Sequence, residues 1–128
     1  MAAVEITKQN FKETIDKGGL VLLDWWAVWC GPCKAFGPIF ESASEKHPDA
    51  VFGKIDTDNQ QELAQAFQIR SIPTLMIFRE GVLLFEQAGA LPAEALEDII
   101  RQAKALDMAQ VHKEVEARRN QQQTPPRA

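Results

Sequence analysis

Leu20-Val21-Leu22-Leu23-Asp24-Trp25-Trp26-Ala27-Val28-Trp29-Cys30-Gly31-Pro32-Cys33 decides how the chain is read. From Leu20 to Ala27 it is apolar except for one carboxylate. A continuous apolar run of that length predicts a strand buried on both faces, as in the middle of a parallel sheet. The stretch ends in two thiols around Gly-Pro, and a helical pattern runs on to about Lys46. The thiols therefore fall at the junction of a buried strand and a helix. They are the only two cysteines in the 128-residue chain.

Such a junction activates sulfur. The first amide N–H groups of a helix lack intrahelical partners, and the helix dipole adds partial positive charge there. A thiolate at that end is stabilised and its pKa falls. Pro32 suits the first helical position, where an N–H would be unserved anyway. Cys30 is expected at the helix start as an exposed nucleophile. Cys33, one turn in, is expected to be more buried and to act as the resolving thiol. A purely structural staple is the weaker reading, because so short a loop removes little chain entropy. A zinc site needs about four ligands, and no second Cys pair or His pair accompanies these two. His47 and His112 are isolated and read as solvated surface residues.

The chain is 45% hydrophobic and 25% charged, with a net charge of −4. These values describe one ordinary globular domain. They give nucleic-acid binding no electrostatic support. No run is long enough to span a bilayer. The first twenty residues carry Glu5, Glu13 and Asp16 and no long apolar core, unlike a secretory signal. Two thiols in such a chain point to the cytoplasm, where a disulfide is usually catalytic.

Outward from the central stretch, the pattern predicts a first strand at Val4–Ile6, then a helix over Asn10 to Asp16, N-capped by Thr7 and ended by Gly18-Gly19. Helix 31–46 has Phe36, Ile39, Phe40 and Ala43 inward and a bend expected at Pro38. Val51–Asp56 reads as a strand and Gln60–Phe67 as a short helix. Thr74–Phe78 and Val82–Phe85 form an antiparallel hairpin. A last helix begins at Pro92, docked by Leu96, Ile99, Ile100 and Ala103. The order predicts an α/β layer with helices on both faces. Past about residue 107 only Met108, Val111 and Val115 keep helical spacing. Residues 1–107 are read as the domain. Residues 108–128 are read as a solvated helical overhang with a polar, disordered end, whose removal changes little.

Trp29-Cys30-Gly31-Pro32-Cys33-Lys34, with Asp24 upstream, resembles the active-site motif of the thioredoxin family. Ser71-Ile72-Pro73-Thr74 is similar to that family's second signature, and Lys54-Ile55-Asp56 and Glu80-Gly81 fall in step. The resemblance spans roughly residues 4 to 106. It implies the thioredoxin fold: a central five-stranded mixed sheet with the first strand at an edge, the hairpin strands last, and here an extended C-terminal helix. It implies a cis bond before Pro73, with the Ile72 backbone free to pair with an extended substrate. Trp29, Gly31, Pro32, Ile72, Pro73, Gly89 and Ala90 would form an apolar rim. Trp25 stands where Phe is common and reads as core. Val28 is more apolar than is common there and would widen the rim if exposed.

Asp24 lies inside a buried strand, where a carboxyl's pKa rises. The resemblance assigns it the proton of Cys33, with Lys54 as its charged neighbour. The activity implied is reduction of protein disulfides, with no bound cofactor. The expected partners are disulfide-containing proteins and a separate reductase, for a monomer. Two alternatives remain: an adaptor or holdase using the apolar rim, and a redox switch reporting oxidation to a partner.

Overall fold

The computed structural model describes residues 3–17 and 19–123. Five strands form one sheet in the order β1-β3-β2-β4-β5. They are β1 (Ala3–Glu5), β2 (Leu20–Trp26), β3 (Val51–Asp56), β4 (Thr74–Arg79) and β5 (Val82–Ala88). β1 and β2 run parallel to β3, whereas β4 runs antiparallel to both β2 and β5. The expected mixed sheet, with β1 at one edge and the hairpin last, is what forms. The helices are α1 (Phe11–Asp16), α2 (Gly31–Lys46), α3 (Gln61–Ala66), α4 (Ala93–Ala105) and α5 (Met108–Gln123).

Strand alternation divides the core in two. Leu20 and Leu22 of β2 pack with Phe36 and Phe40 of α2 and with Leu96 and Ile100 of α4. Val21, Leu23 and Trp25 face the other way, against Phe11 and Ile15 of α1 and against Leu63 and Phe67 at α3. This explains why β2 reads as apolar sequence except at Asp24: both of its faces are covered. Gly53 marks a close approach within the second layer, because a Cβ there would run into Ile6 and Leu23.

Local sequence sets the boundaries. Cys30 caps α2 with its own sulfur, and Pro32 lies in its first turn. The helix runs unbroken through Pro38. Lys34, whose carbonyl that proline cannot serve, lies exposed with it. The β4–β5 turn places Glu80 at φ 52° and Gly81 at φ 80°, the left-handed pair that a two-residue hairpin requires.

Several expectations shift. The cap of α1 is Asn10 rather than Thr7. The Asn10 side chain instead folds back, its Oδ1 accepting from Thr7 N–H at 2.7 Å. Gly18, proposed as a helix stop, lies outside the described residues. β5 runs three residues past Phe85, through Glu86-Gln87-Ala88. Polar residues are tolerated there because β5 is an edge strand. Pro92 is the N-cap of α4, one position before its first turn. His47 is no free surface residue: its side chain is 16% exposed, bonded to Glu97 at 2.7 Å and to Lys104 at 2.8 Å. His112 bonds Glu80 at the hairpin turn.

The C-terminal helix is not one extended rod. α4 ends at Leu106, whose backbone is extended, and α5 starts afresh. Asp107 Oδ1 accepts from the N–H groups of Ala109 and Gln110, an N-cap arrangement. Met108 is buried rather than solvated. Asn120 to Gln123, read as disordered from composition, lie within α5. Residues 124–128 lie outside the described part of the chain.

Candidate active site

The site gathers at the C-terminal end of β2. Cys30 and Cys33 are joined as a disulfide with their Cα atoms 5.3 Å apart. Cys30 Sγ accepts the N–H of Cys33 at 3.2 Å, so the sulfur itself serves one of the unpartnered amides of α2. The Ile72 carbonyl oxygen lies 3.6 Å from the same sulfur. The difference in exposure expected between the two thiols is absent, since each is 4% exposed. Ala27, Trp26 and Ile72 pack around both.

Ile72 belongs to the segment between α3 and β4, and the Ile72–Pro73 bond is cis. The segment is tied down on both sides of that bond. Thr74 Oγ1 donates to the Ser71 carbonyl at 2.6 Å, and Gly89 N–H donates to the Pro73 carbonyl at 2.8 Å. Pro73 is buried and Ile72 half-buried, while Gly31, Pro32, Gly89 and Ala90 are exposed. The polypeptide thus brings the loops after β2, before β4 and after β5 to one end of the sheet.

Asp24 is fully buried on the face of β2 that also carries Leu22. Neither carboxyl oxygen has a hydrogen-bond partner among the described residues. Burial pushes its carboxyl up from 3.8 to about 7, opposed by the Lys54 cation. Lys54 is its register partner on β3. The Lys54 ammonium also stands 4.7 Å above the Trp26 ring. Trp26, Cys33, Glu41 and Lys54 line a common groove of about 380 Å³. Lys54, which acts on the buried Asp24 carboxyl, therefore lines the same groove as Cys33.

Sequence reading placed Trp29 in the rim but did not find its anchor. Trp29 Nε1 donates to Asp58 Oδ2 at 2.9 Å, which holds the exposed ring in place. The run Asp56-Thr57-Asp58-Asn59 at the end of β3 was the available signal. Trp26 is half-buried and lines the groove. Trp25 is core, as expected, with its Nε1 lacking a hydrogen-bond partner among the described residues.

A family model described as Thioredoxin matches residues 2–102. The chain belongs to the thioredoxin family. It is 60% identical over 114 residues to a putative thioredoxin 2 of Streptomyces coelicolor, covering 89% of this chain and 85% of that one. It is 39% identical to a thioredoxin of Bacillus subtilis, over 78% of this chain and 96% of the other. Among solved structures, a mutant thioredoxin from Halobacterium salinarum superposes with a TM-score of 0.76. It shares 33% identity and covers 81% of this chain and 92% of that one. Like other thioredoxins, this protein is a dithiol–disulfide oxidoreductase that reduces protein disulfides through Cys30 and Cys33, and its partners are disulfide-containing proteins and reductases.

Proposed function

We propose that Cys30 is the attacking thiol of this reductase and Cys33 the resolving thiol. The observation that carries this is the Cys33 N–H directed at Cys30 Sγ at the helix N-cap. A hydrogen bond to the charged form of a group favours that form, so Cys30 is the sulfur that the fold stabilises as thiolate. The Cys30 thiolate attacks one sulfur of a substrate disulfide and expels the other as a thiolate. Cys33 then attacks Cys30 Sγ, closes the protein disulfide and releases the second substrate thiol. A separate reductase returns two electrons to reopen it.

Asp24 takes the proton of Cys33 in the second step. A carboxyl near pH 7 is matched to that task at neutral pH. Lys54 keeps it from rising further. The Ile72 backbone pairs with the extended substrate beside Pro73, and Trp29, Gly31, Pro32, Gly89 and Ala90 supply the apolar rim. One copy of the chain carries both thiols, the carboxyl and the lysine, which supports a monomer as the working unit. A reductant must itself be kept reduced, which favours the cytoplasm. No helix among the described residues is long and apolar enough to cross a membrane. Residues 1–107 carry the activity, and 108–128 are an extension.

The test is the pair of single cysteine variants. Cys30→Ser abolishes turnover of insulin disulfides with a reductase and NADPH, whereas Cys33→Ser accumulates stable mixed disulfides. Trapping through Cys33 in the Cys30→Ser protein reverses the assignment.

A further inference from the structure

His47 closes α2 at the end opposite the reacting sulfurs. It is the more buried of the chain's two histidines, its side chain 16% exposed against 46% for His112. Its ring stacks on Phe52 of β3, with centroids 6.4 Å apart. Both ring nitrogens engage α4. Nε2 lies 2.7 Å from Glu97 Oε2, and Nδ1 lies 2.8 Å from Lys104 Nζ.

These two contacts fix the protonation state of the ring. An ammonium only donates, so Nδ1 is the acceptor. The single ring proton is then on Nε2, which donates to Glu97. His47 is therefore a neutral imidazole held between a cation and an anion of the same helix. Lys104 is also tied to Asp49 at 3.0 Å, and Lys46 precedes the ring in the last turn of α2. Asp98 and Arg101, also on α4, are exposed and pair with each other.

A second ring proton can bind only at Nδ1. There it removes the acceptor of Lys104 and sets two cations face to face. The Nε2 side loses nothing, since the imidazolium still donates to Glu97, now as a charge-assisted bond. Glu97 lies in the first half of α4 and Lys104 in its last turn. Protonation thus keeps one part of the helix held and releases another.

We propose that His47 is a proton-operated latch on the last turn of α4: a proton taken up at Nδ1 expels Lys104 while Glu97 stays bound, and the end of α4 loosens. Histidine is the side chain suited to such a switch near neutral pH. The same turn presents its Ala103 and Lys104 carbonyls to Arg79 and leads into the buried Met108. The latch therefore stands at the root of α5.

The experiment uses the full chain. Nitrogen-15 NMR of the His47 imidazole at pH 8 shows a bare Nδ1 and a protonated Nε2. Lys104→Met makes the ring bind its second proton about threefold more tightly, the scale of a partly exposed charge pair, and Glu97→Gln makes it bind more weakly. Amide hydrogen exchange of residues 103–105, divided by the intrinsic rate at each pH, follows the latch. The reference is His47→Asn, whose amide oxygen accepts from Lys104 and does not titrate. Between pH 8 and pH 5 the protection of these amides in the parent falls about threefold relative to that variant. Asp24 and His112 are present in both proteins, so their titration cancels. A proton on Nδ1 at pH 8, a proton affinity unmoved by Lys104→Met, or a protection ratio that does not change with pH overturns the proposal.

Discussion

Asp24 and Lys54 stand opposite each other on β2 and β3, one fully buried without a hydrogen-bond partner among the described residues and the other with its ammonium over the Trp26 ring. The lysine is close enough to lower the carboxyl's pKa, yet burial prevails and holds it near 7. The fold therefore maintains a carboxyl that holds its proton far closer to neutral pH than a solvated one does.

That arrangement makes stability depend on pH in a fixed direction. The folded state keeps the Asp24 proton up to about pH 7, whereas the unfolded state releases it near 3.8. Stability is full below the lower value and falls as pH rises through the upper one. At roughly 1.4 kcal/mol per pH unit, the loss is about 4 kcal/mol by pH 8. Asp24→Asn should be the more stable protein at pH 8, with the gap closing as pH falls toward 4, and should resolve mixed disulfides more slowly. Urea unfolding at several pH values measures the first effect; equal stabilities at pH 8 would mean that Asp24 is not held protonated.

Lys54→Met removes the cation that lowers the Asp24 carboxyl. The carboxyl then moves further up. The pH at which mixed-disulfide resolution reaches half its maximum should rise with it, above that of the parent. A stopped-flow pH profile on a preformed mixed disulfide reads this directly, and a downward shift contradicts it.

Arg79 closes the end of α4. Its Nη1 donates to the carbonyls of Ala103, Lys104 and Leu106. These are last-turn acceptors that no helical N–H serves, and a cation suits that end of the dipole. Arg79→Met should cost about 2 kcal/mol, the scale of hydrogen bonds to a charged group. Chemical denaturation would show it, with disulfide reduction at 25 °C unaffected.

Deleting residues 108–128 keeps Leu106 and its Arg79 contact but removes Met108 and the His112–Glu80 bond. Burying a Met side chain is worth about 1.5–3 kcal/mol. That corresponds to a fall in Tm of roughly 5–10 °C for a domain of this size, with reduction unchanged. The sequence alone predicted almost no fall, and the buried Met108 is the reason to expect one. A fall beyond that range, or a change of oligomeric state on gel filtration, would indicate that α5 is part of the folded unit.

What was legible followed from chemistry carried by neighbours in sequence. Cys30-Gly31-Pro32-Cys33 marks both the site and the first turn of α2, because capping and thiolate stabilisation use the same orphan amides. The apolar run of β2, with Asp24 its one polar residue, marks a strand covered twice. Arg79 was invisible because its three acceptors lie at the far end of α4, well beyond it in sequence. His47 reads as surface because its partners, Glu97 and Lys104, are on α4. The break between α4 and α5 was hidden by a stripe whose spacing continues through it. It is Asp107, a good cap preceding Met108, that restarts the helix. The Trp29–Asp58 bond joins two loops that the sheet order alone brings together.

The sulfur that caps α2 has a consequence for what oxidation can signal. Cys30 Sγ holds the Cys33 amide while it is bonded to Cys33 Sγ, and a free thiolate at the same position holds it at least as well. Loss or gain of two electrons therefore leaves the helix start served in both states. A partner that distinguishes spent from loaded protein therefore has the sulfurs themselves to read, rather than the capping of α2.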